Sequence, residues 1–173
     1  MTRYKLSGIT VAMRKAYTGF TLIELMVVLI IAGILLAMAT PSFSNVIRNN
    51  RLTAESNNLV TSFNVARSEA IKRRGTITVC PSSDQATCTG GGWEDGWIVL
   101  EDSTNEVLQV FAPMKGDPTV VSSAGSVQYT AAGFLSGGVA VTIGICMTGG
   151  DQGRQINITA TGRPNNVSPY PAC

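Results

Sequence analysis

Residues Phe20 to Ala39, FTLIELMVVLIIAGILLAMA, form an apolar run interrupted by one carboxylate, Glu24. Wound as a helix at about 1.5 Å per residue, twenty residues would cover the hydrocarbon thickness of a bilayer. The run therefore predicts a single transmembrane helix. A carboxylate inside such a segment is costly unless paired, so Glu24 is a candidate functional residue. The preceding residues carry Arg3, Lys5, Arg14 and Lys15 and no acid. That asymmetry predicts a cytoplasmic N-terminus with the remainder sent outward. A cleaved secretory signal fits less well, because the run is long for such a segment and no A-x-A-like site closely follows Ala39.

The chain has 173 residues, which leaves room for one soluble domain with a single small core beyond the apolar run. Its formal charge of +2 comes from thirteen Lys and Arg against eleven Asp and Glu. Four of those cations precede Gly19, so the part from Phe20 onward holds nine basic and eleven acidic side chains. Global charge thus gives no argument for nucleic-acid binding, and any such site has to be a local patch. Histidine is absent, and no G-x-S-x-G elbow or P-loop occurs. The acids are scattered near turns, so the sequence predicts neither an enzyme nor a cofactor, and the cysteine spacings match no common zinc site. The four cysteines, Cys80, Cys88, Cys146 and Cys173, read as two disulfides of an exported domain, with three possible pairings. The favoured one joins Cys80 to Cys88 across a short loop and Cys146 to Cys173, which would staple the tail to a strand.

Helical character does not end at Pro41. Proline bends a helix and removes one bond, and Leu52, Leu59, Phe63, Ala66 and Ala70 continue on one helical face. The helix is predicted from Thr21 to Arg74, with Gly75 as its stop. Its second half has one apolar stripe, which needs a sheet to cover it. Strands are predicted over 75–80, 96–102, 106–113, 127–129, 139–147 and 154–162, from alternation and β-branched content. Residues 163–173, with three prolines, read as a tail. The expected fold is α+β, a long N-terminal transmembrane helix packed on antiparallel β-sheets.

The junction GFTLIE joined to an unbroken apolar run resembles the signal of type IV pilins and type II secretion pseudopilins. The resemblance implies removal of residues 1–19 by a prepilin peptidase cutting between Gly19 and Phe20, then N-methylation of Phe20. It implies that Glu24 pairs with the amine of Phe20, in the same or a neighbouring subunit, and sets the stagger of stacked helices. Pro41 falls at the family's usual bending position. The segments ARSEAIKRR, TITVC, GGWEDGWIVLEDS and ITATGRPN are similar to the GspH/FimT-type pilin domain. The implied organisation is a cytoplasmic leader (1–19), the membrane half of the helix (20–41), its amphipathic half (42–74) and a periplasmic or extracellular β domain (75–173).

The function implied is structural: a minor pilin of a type IV pilus, or alternatively the minor pseudopilin H of type II secretion, held single-pass in the inner membrane before assembly. Its partners would be other major and minor pilins or pseudopilins, the prepilin peptidase and methyltransferase, and the inner-membrane assembly platform. A third reading is a DNA-binding minor pilin of natural transformation. Relatives of that kind carry a GRxR-like motif near the end of the domain. Here Gly162-Arg163 matches, and Asn165 stands where the second arginine would be. Arg154 and Arg163 are the candidate contacts to double-stranded DNA, with Lys72, Arg73 and Arg74 as cations the fold could bring near.

Overall fold

The computed structural model describes residues 19–147 and 153–170, with 37–42 and 168–170 described by their backbone alone. The chain divides into two compact units, Met1–Pro41 and Ser42–Cys173. Helix α1, Leu22–Arg73, begins in the first unit and runs through Pro41 into the second. Thr21 sits ahead of it as the N-cap, and its Oγ1 accepts the amide of Glu24 at 3.3 Å. Thr21-x-x-Glu24 is the sequence pattern of a capping box. At the far end Gly75 N–H reaches back to the carbonyl of Ala70, and Arg74 takes φ 55°, the left-handed conformation that closes many helices.

Among the described residues eight strands follow: β1 Ile77–Pro81, β2 Trp97–Glu101, β3 Glu106–Phe111, β4 Pro118–Ser122, β5 Val127–Tyr129, β6 Val141–Met147, β7 Gly153–Ile158 and β8 Pro164–Tyr170. They form two four-stranded sheets, ordered β3-β2-β1-β5 and β4-β6-β7-β8. Every pairing is antiparallel. The register follows side-chain alternation. Ile77 and Val79 face the core with Val99, Val127 and Tyr129, while Ile143 and Ile145 do so with Ile156 and Ile158. Leu52, Leu59, Phe63, Ala66 and Ala70 supply the helical side of the same cluster, all buried. This is the stripe that the helical spacing marks in the sequence.

One aromatic pair ties α1 to the segment ahead of β2, and another lies within the first sheet, between β2 and β3. Trp93 meets Phe63 edge-to-face at 6.0 Å. Trp97 stacks on Phe111 at 5.0 Å. Both tryptophans are buried, so the glycine-rich loop before Trp93 turns that ring inward. Gly96, at φ 104°, makes the turn between them; a Cβ there would come within 2.8 Å of the Phe111 carbonyl.

Three expectations are corrected. Among the described residues no helix is long and apolar enough to cross a membrane. The apolar part of α1 whose side chains are described, Leu22 to Leu36, falls short of the ~20 residues a span needs, and Glu24 lies within it. The transmembrane helix expected of the fold, and the single-pass inner-membrane placement that rested on it, are set aside on this finding. The tail, secondly, is partly a strand: β8 pairs with β7 from Ile158↔Pro164 to Gly153↔Tyr170. Its prolines are tolerated because β8 is an edge strand, where one row of N–H groups is not needed for pairing. Thirdly, β4 is a strand in a stretch for which the sequence suggested none. PTVVS is short and follows Lys115-Gly116-Asp117, so its alternation is brief.

Candidate assembly surfaces

The described part of α1 in the first unit is apolar nearly all round, Glu24 apart. From Phe20, 84% exposed, through Leu36, 70% exposed, nearly every large side chain lies open, including Leu25, Val28, Ile31 and Leu35. Exposed apolar surface of this extent marks an interaction site. Glu24 is exposed in the first turn of α1, where the unpaired N–H groups of the helix favour a carboxylate. Gly19 and Phe20 lie just ahead of Thr21 and are exposed, outside regular structure. Residues 1–18 of the expected leader lie outside the described residues.

In the second unit, the helix end is tied to the β2–β3 hairpin by one arginine. Arg73 contacts Glu69 at 2.8 Å, Glu101 at 2.9 Å and Glu106 at 2.8 Å, and Lys72 adds 3.2 Å to Glu69. The Arg73 and Lys72 hydrogen bonds hold the Glu69 carboxyl below its usual range. Bonding to Glu69, Glu106 and Glu101 pushes the Arg73 guanidinium further up. Arg73 and Lys72 are thus committed to carboxylates, which answers whether they join a basic patch.

A disulfide joins Cys80, on β1, to Cys88. Inside the loop it closes, Asp84 organises a turn. Its carboxylate accepts the Thr87 hydroxyl at 2.6 Å, the Ala86 and Thr87 amides at 3.0 and 2.9 Å, and the Ser82 hydroxyl at 2.9 Å. The Thr87 hydroxyl, then the two amides and Ser82, hold this carboxyl well below the usual aspartate range. Cys146, on β6, is also disulfide-bonded. Its expected partner, Cys173, lies outside the described residues.

Arg154 and Arg163 are not brought together. Arg154 opens β7 and its Nη2 donates to Thr53 Oγ1 at 3.3 Å, an internal contact with α1. Arg163 lies beyond the other end of β7, in the turn to β8, with its side chain exposed. Gly162, directly before it, is buried at φ 78°, and a Cβ there would run into the carbonyl oxygen of Gly133 and the Tyr129 ring. The Gly-Arg dipeptide thus contains a residue fixed by packing and one left open to solvent. Gly133 is itself bound by Arg67, whose Nε donates to its carbonyl at 3.0 Å. Helical spacing marks the apolar stripe beside Arg67 but carries no signal for the bond that Arg67 makes to a residue 66 positions away. Tyr129, fully buried beside Gly162, has its hydroxyl pushed up by burial. Among the described residues no group of three or more Cys, Asp or Glu could hold a metal ion.

The model of the type II transport protein GspH family matches residues 55–162, and the prokaryotic N-terminal methylation motif matches residues 14–40. The type IV minor pilin FimU of Pseudomonas aeruginosa superposes with a TM-score of 0.57 at 22% identity, covering 68% of this chain and 88% of that one. The minor pseudopilin EpsH of the Vibrio cholerae type 2 secretion system gives 0.50 at 11% identity, covering 68% and 96%. These likenesses establish a shared fold. No curated protein sequence matches the chain. Because the first match spans more than half of its length, from the amphipathic part of α1 to the β7–β8 turn, this chain belongs to the GspH family of type II transport proteins.

Proposed function

We propose that this chain is a minor pilin of a type IV pilus. Its coarser role is that of a non-catalytic structural subunit of the minor pilin and pseudopilin class, in a type IV pilus or a type II secretion system. The observation that carries the proposal is the apolar helix of the first unit, open on all sides ahead of a folded head. So much exposed apolar surface gains several kcal/mol by packing against like helices, at about 25 cal/mol per Å² removed from water. A filament core built of such helices supplies that burial.

In this reading the methylation motif is the processing junction: cleavage after Gly19 releases Phe20, which is methylated. Glu24 then faces the new amine of a neighbouring subunit, and Pro41 marks where the helix leaves the core for the head. The Cys80–Cys88 bridge, and a second through Cys146, add covalent restraint to the head. Service in a type II secretion system is the alternative. DNA uptake ranks behind both. Arg154 is engaged with Thr53, Arg163 lies at the other end of β7, and Asn165 replaces the second arginine of the motif.

Deletion of the gene, read out by surface pili, exoprotein release and transformation, separates these roles. Loss of pili with secretion intact is the expected result. Loss of secretion with pili intact would overturn the pilus reading in favour of the pseudopilus.

A further inference from the structure

Beside the end of α1, three separate segments come together around Gly133: the helix itself, the loop of Gly133-Phe134 and the turn of Gly162-Arg163. Ile71, 49% exposed, lies against it so closely that a Cβ on Gly133 would stand 2.7 Å from the Ile71 side chain. Phe134, 50% exposed, is the next residue. Arg67 donates to the Gly133 carbonyl from the α1 side. Arg163 follows Gly162, whose backbone packs on that same carbonyl. The segments are locked together by the Leu135 amide bonding to the Ala160 carbonyl at 3.0 Å. Half-exposed aliphatic and aromatic residues thus share this end of the head with Arg67 and with the turn that carries the exposed Arg163.

The charges at this end of the head are segregated. Glu69, Glu101 and Glu106 converge on Arg73, with Lys72 also on Glu69. Asp102 accepts the Gln128 side-chain amide at 2.7 Å. Arg74 ends the helix. Among the described residues no carboxylate contacts Arg67 or Arg163, so the positive charge around Ile71 and Phe134 is left without a counter-charge. Arginine and aromatic side chains around an apolar centre are the composition of protein–protein contacts. A phosphate backbone would gain little from Ile71. Uncompensated cations at such a contact favour a partner of opposite sign.

We infer that this patch docks a neighbouring pilin or pseudopilin subunit that presents carboxylates around an apolar side chain. The inference rests on the structural-subunit reading, and it adds the face of the head that is used and the chemistry of what it meets.

The test places a photo-reactive benzophenone amino acid at position 134 of the full-length chain, in cells that assemble it at native levels. Position 119, exposed on edge strand β4, serves as the control. Adducts are identified by peptide mapping. The expected result is an adduct from position 134 and not from 119, joined to an Asp- or Glu-bearing peptide of a pilin-class subunit. Arg163→Glu should lower its yield several-fold, and reversing the crosslinked acid to Arg in the partner should restore it. Arg163 has no side-chain contact among the described residues whose loss would unfold the head, and an unchanged thermal transition checks this. A chain present in assemblies but giving no adduct, an adduct indifferent to Arg163→Glu, or an adduct to nucleic acid would overturn this inference alone. Absence of the chain from every pilus or pseudopilus assembly would overturn the structural-subunit reading and this inference with it.

Discussion

Gly162 offers the sharpest test of how the head is built, because two separable costs meet at one position. Its φ of 78° is left-handed, and it is buried, with the space for a Cβ taken by the Gly133 carbonyl and the Tyr129 ring. Alanine here incurs a conformational penalty of about 1–2 kcal/mol. It also overpacks a site walled by backbone on one side and a buried ring on the other, which adds about 1–3 kcal/mol. Together Gly162→Ala should cost about 2–5 kcal/mol, a large part of the 5–15 kcal/mol typical of a domain. Gly137 provides the control. It has nearly the same φ, 82°, but nothing within 4 Å of where its Cβ would lie. Gly137→Ala should therefore lose the conformational share alone, about 1–2 kcal/mol. Urea unfolding followed by tryptophan fluorescence would measure both, since Trp93 and Trp97 are buried and report on the core. Equal losses in the two variants would refute the packing argument and leave only the backbone term.

Replacing Cys80 and Cys88 together by Ser should destabilise the head by about 2–3 kcal/mol, the loop-closure value for a crosslink spanning a separation of 8; unchanged unfolding midpoints would show that the loop is ordered by other bonds. Asp84 should make the same loop acid-sensitive. Its folded-state carboxyl lies below the unfolded value of about 3.9, so its contribution is complete above about pH 4 and is lost as pH falls below that. Protection of the Ala86 and Thr87 amides, measured against their intrinsic exchange rates at each pH, should fall below about pH 4 in the native chain; if Asp84→Asn shows the same pH profile, the carboxylate is not the cause. At the other end of the chain, Glu24→Gln removes charge and keeps the backbone amide bonded to Thr21, whereas Thr21→Ala removes the cap and keeps the charge. Incorporation into sheared filaments, read by immunoblot, should fall for Glu24→Gln and stay near normal for Thr21→Ala; the reverse order would assign Glu24 to helix capping instead of subunit pairing.

The parts of this fold that were legible in the sequence are those where one local period decides the outcome. The stripe Leu52, Leu59, Phe63, Ala66, Ala70 reads as one helical face because helical spacing alone aligns it, and it is the face the sheets cover. The β1, β2 and β3 segments are apolar, β-branched runs bounded by turn residues, long enough to be seen. By contrast β8 was hidden by Pro164 and Pro169, since proline argues against a strand unless one already knows that the strand is at an edge. Position along the chain also hid the pairing of Arg67 with Gly133, which are 66 residues apart. No window of sequence holds both.

The same distance explains what became of the Gly162-Arg163 dipeptide. Read as a string, it is half of a phosphate-binding motif, with Arg154 as a nearby cation. In three dimensions the neighbours of Arg163 are set by Gly162, which must be glycine to lie on Gly133. Gly133 in turn brings Arg67, Ile71 and Phe134, none of which is close in sequence. Arg154 lies only nine positions away, yet the extended length of β7 separates it from Arg163, and it bonds to the helix instead. A short sequence motif can specify the backbone that presents a side chain. Its chemical surroundings come from the tertiary packing, and here the packing brings the turn that carries Arg163 to the loop that carries Phe134, beside Ile71 and Arg67. That composition is why the surface is assigned to a protein partner, and why Phe134, which no motif singles out, is the position at which to look for it.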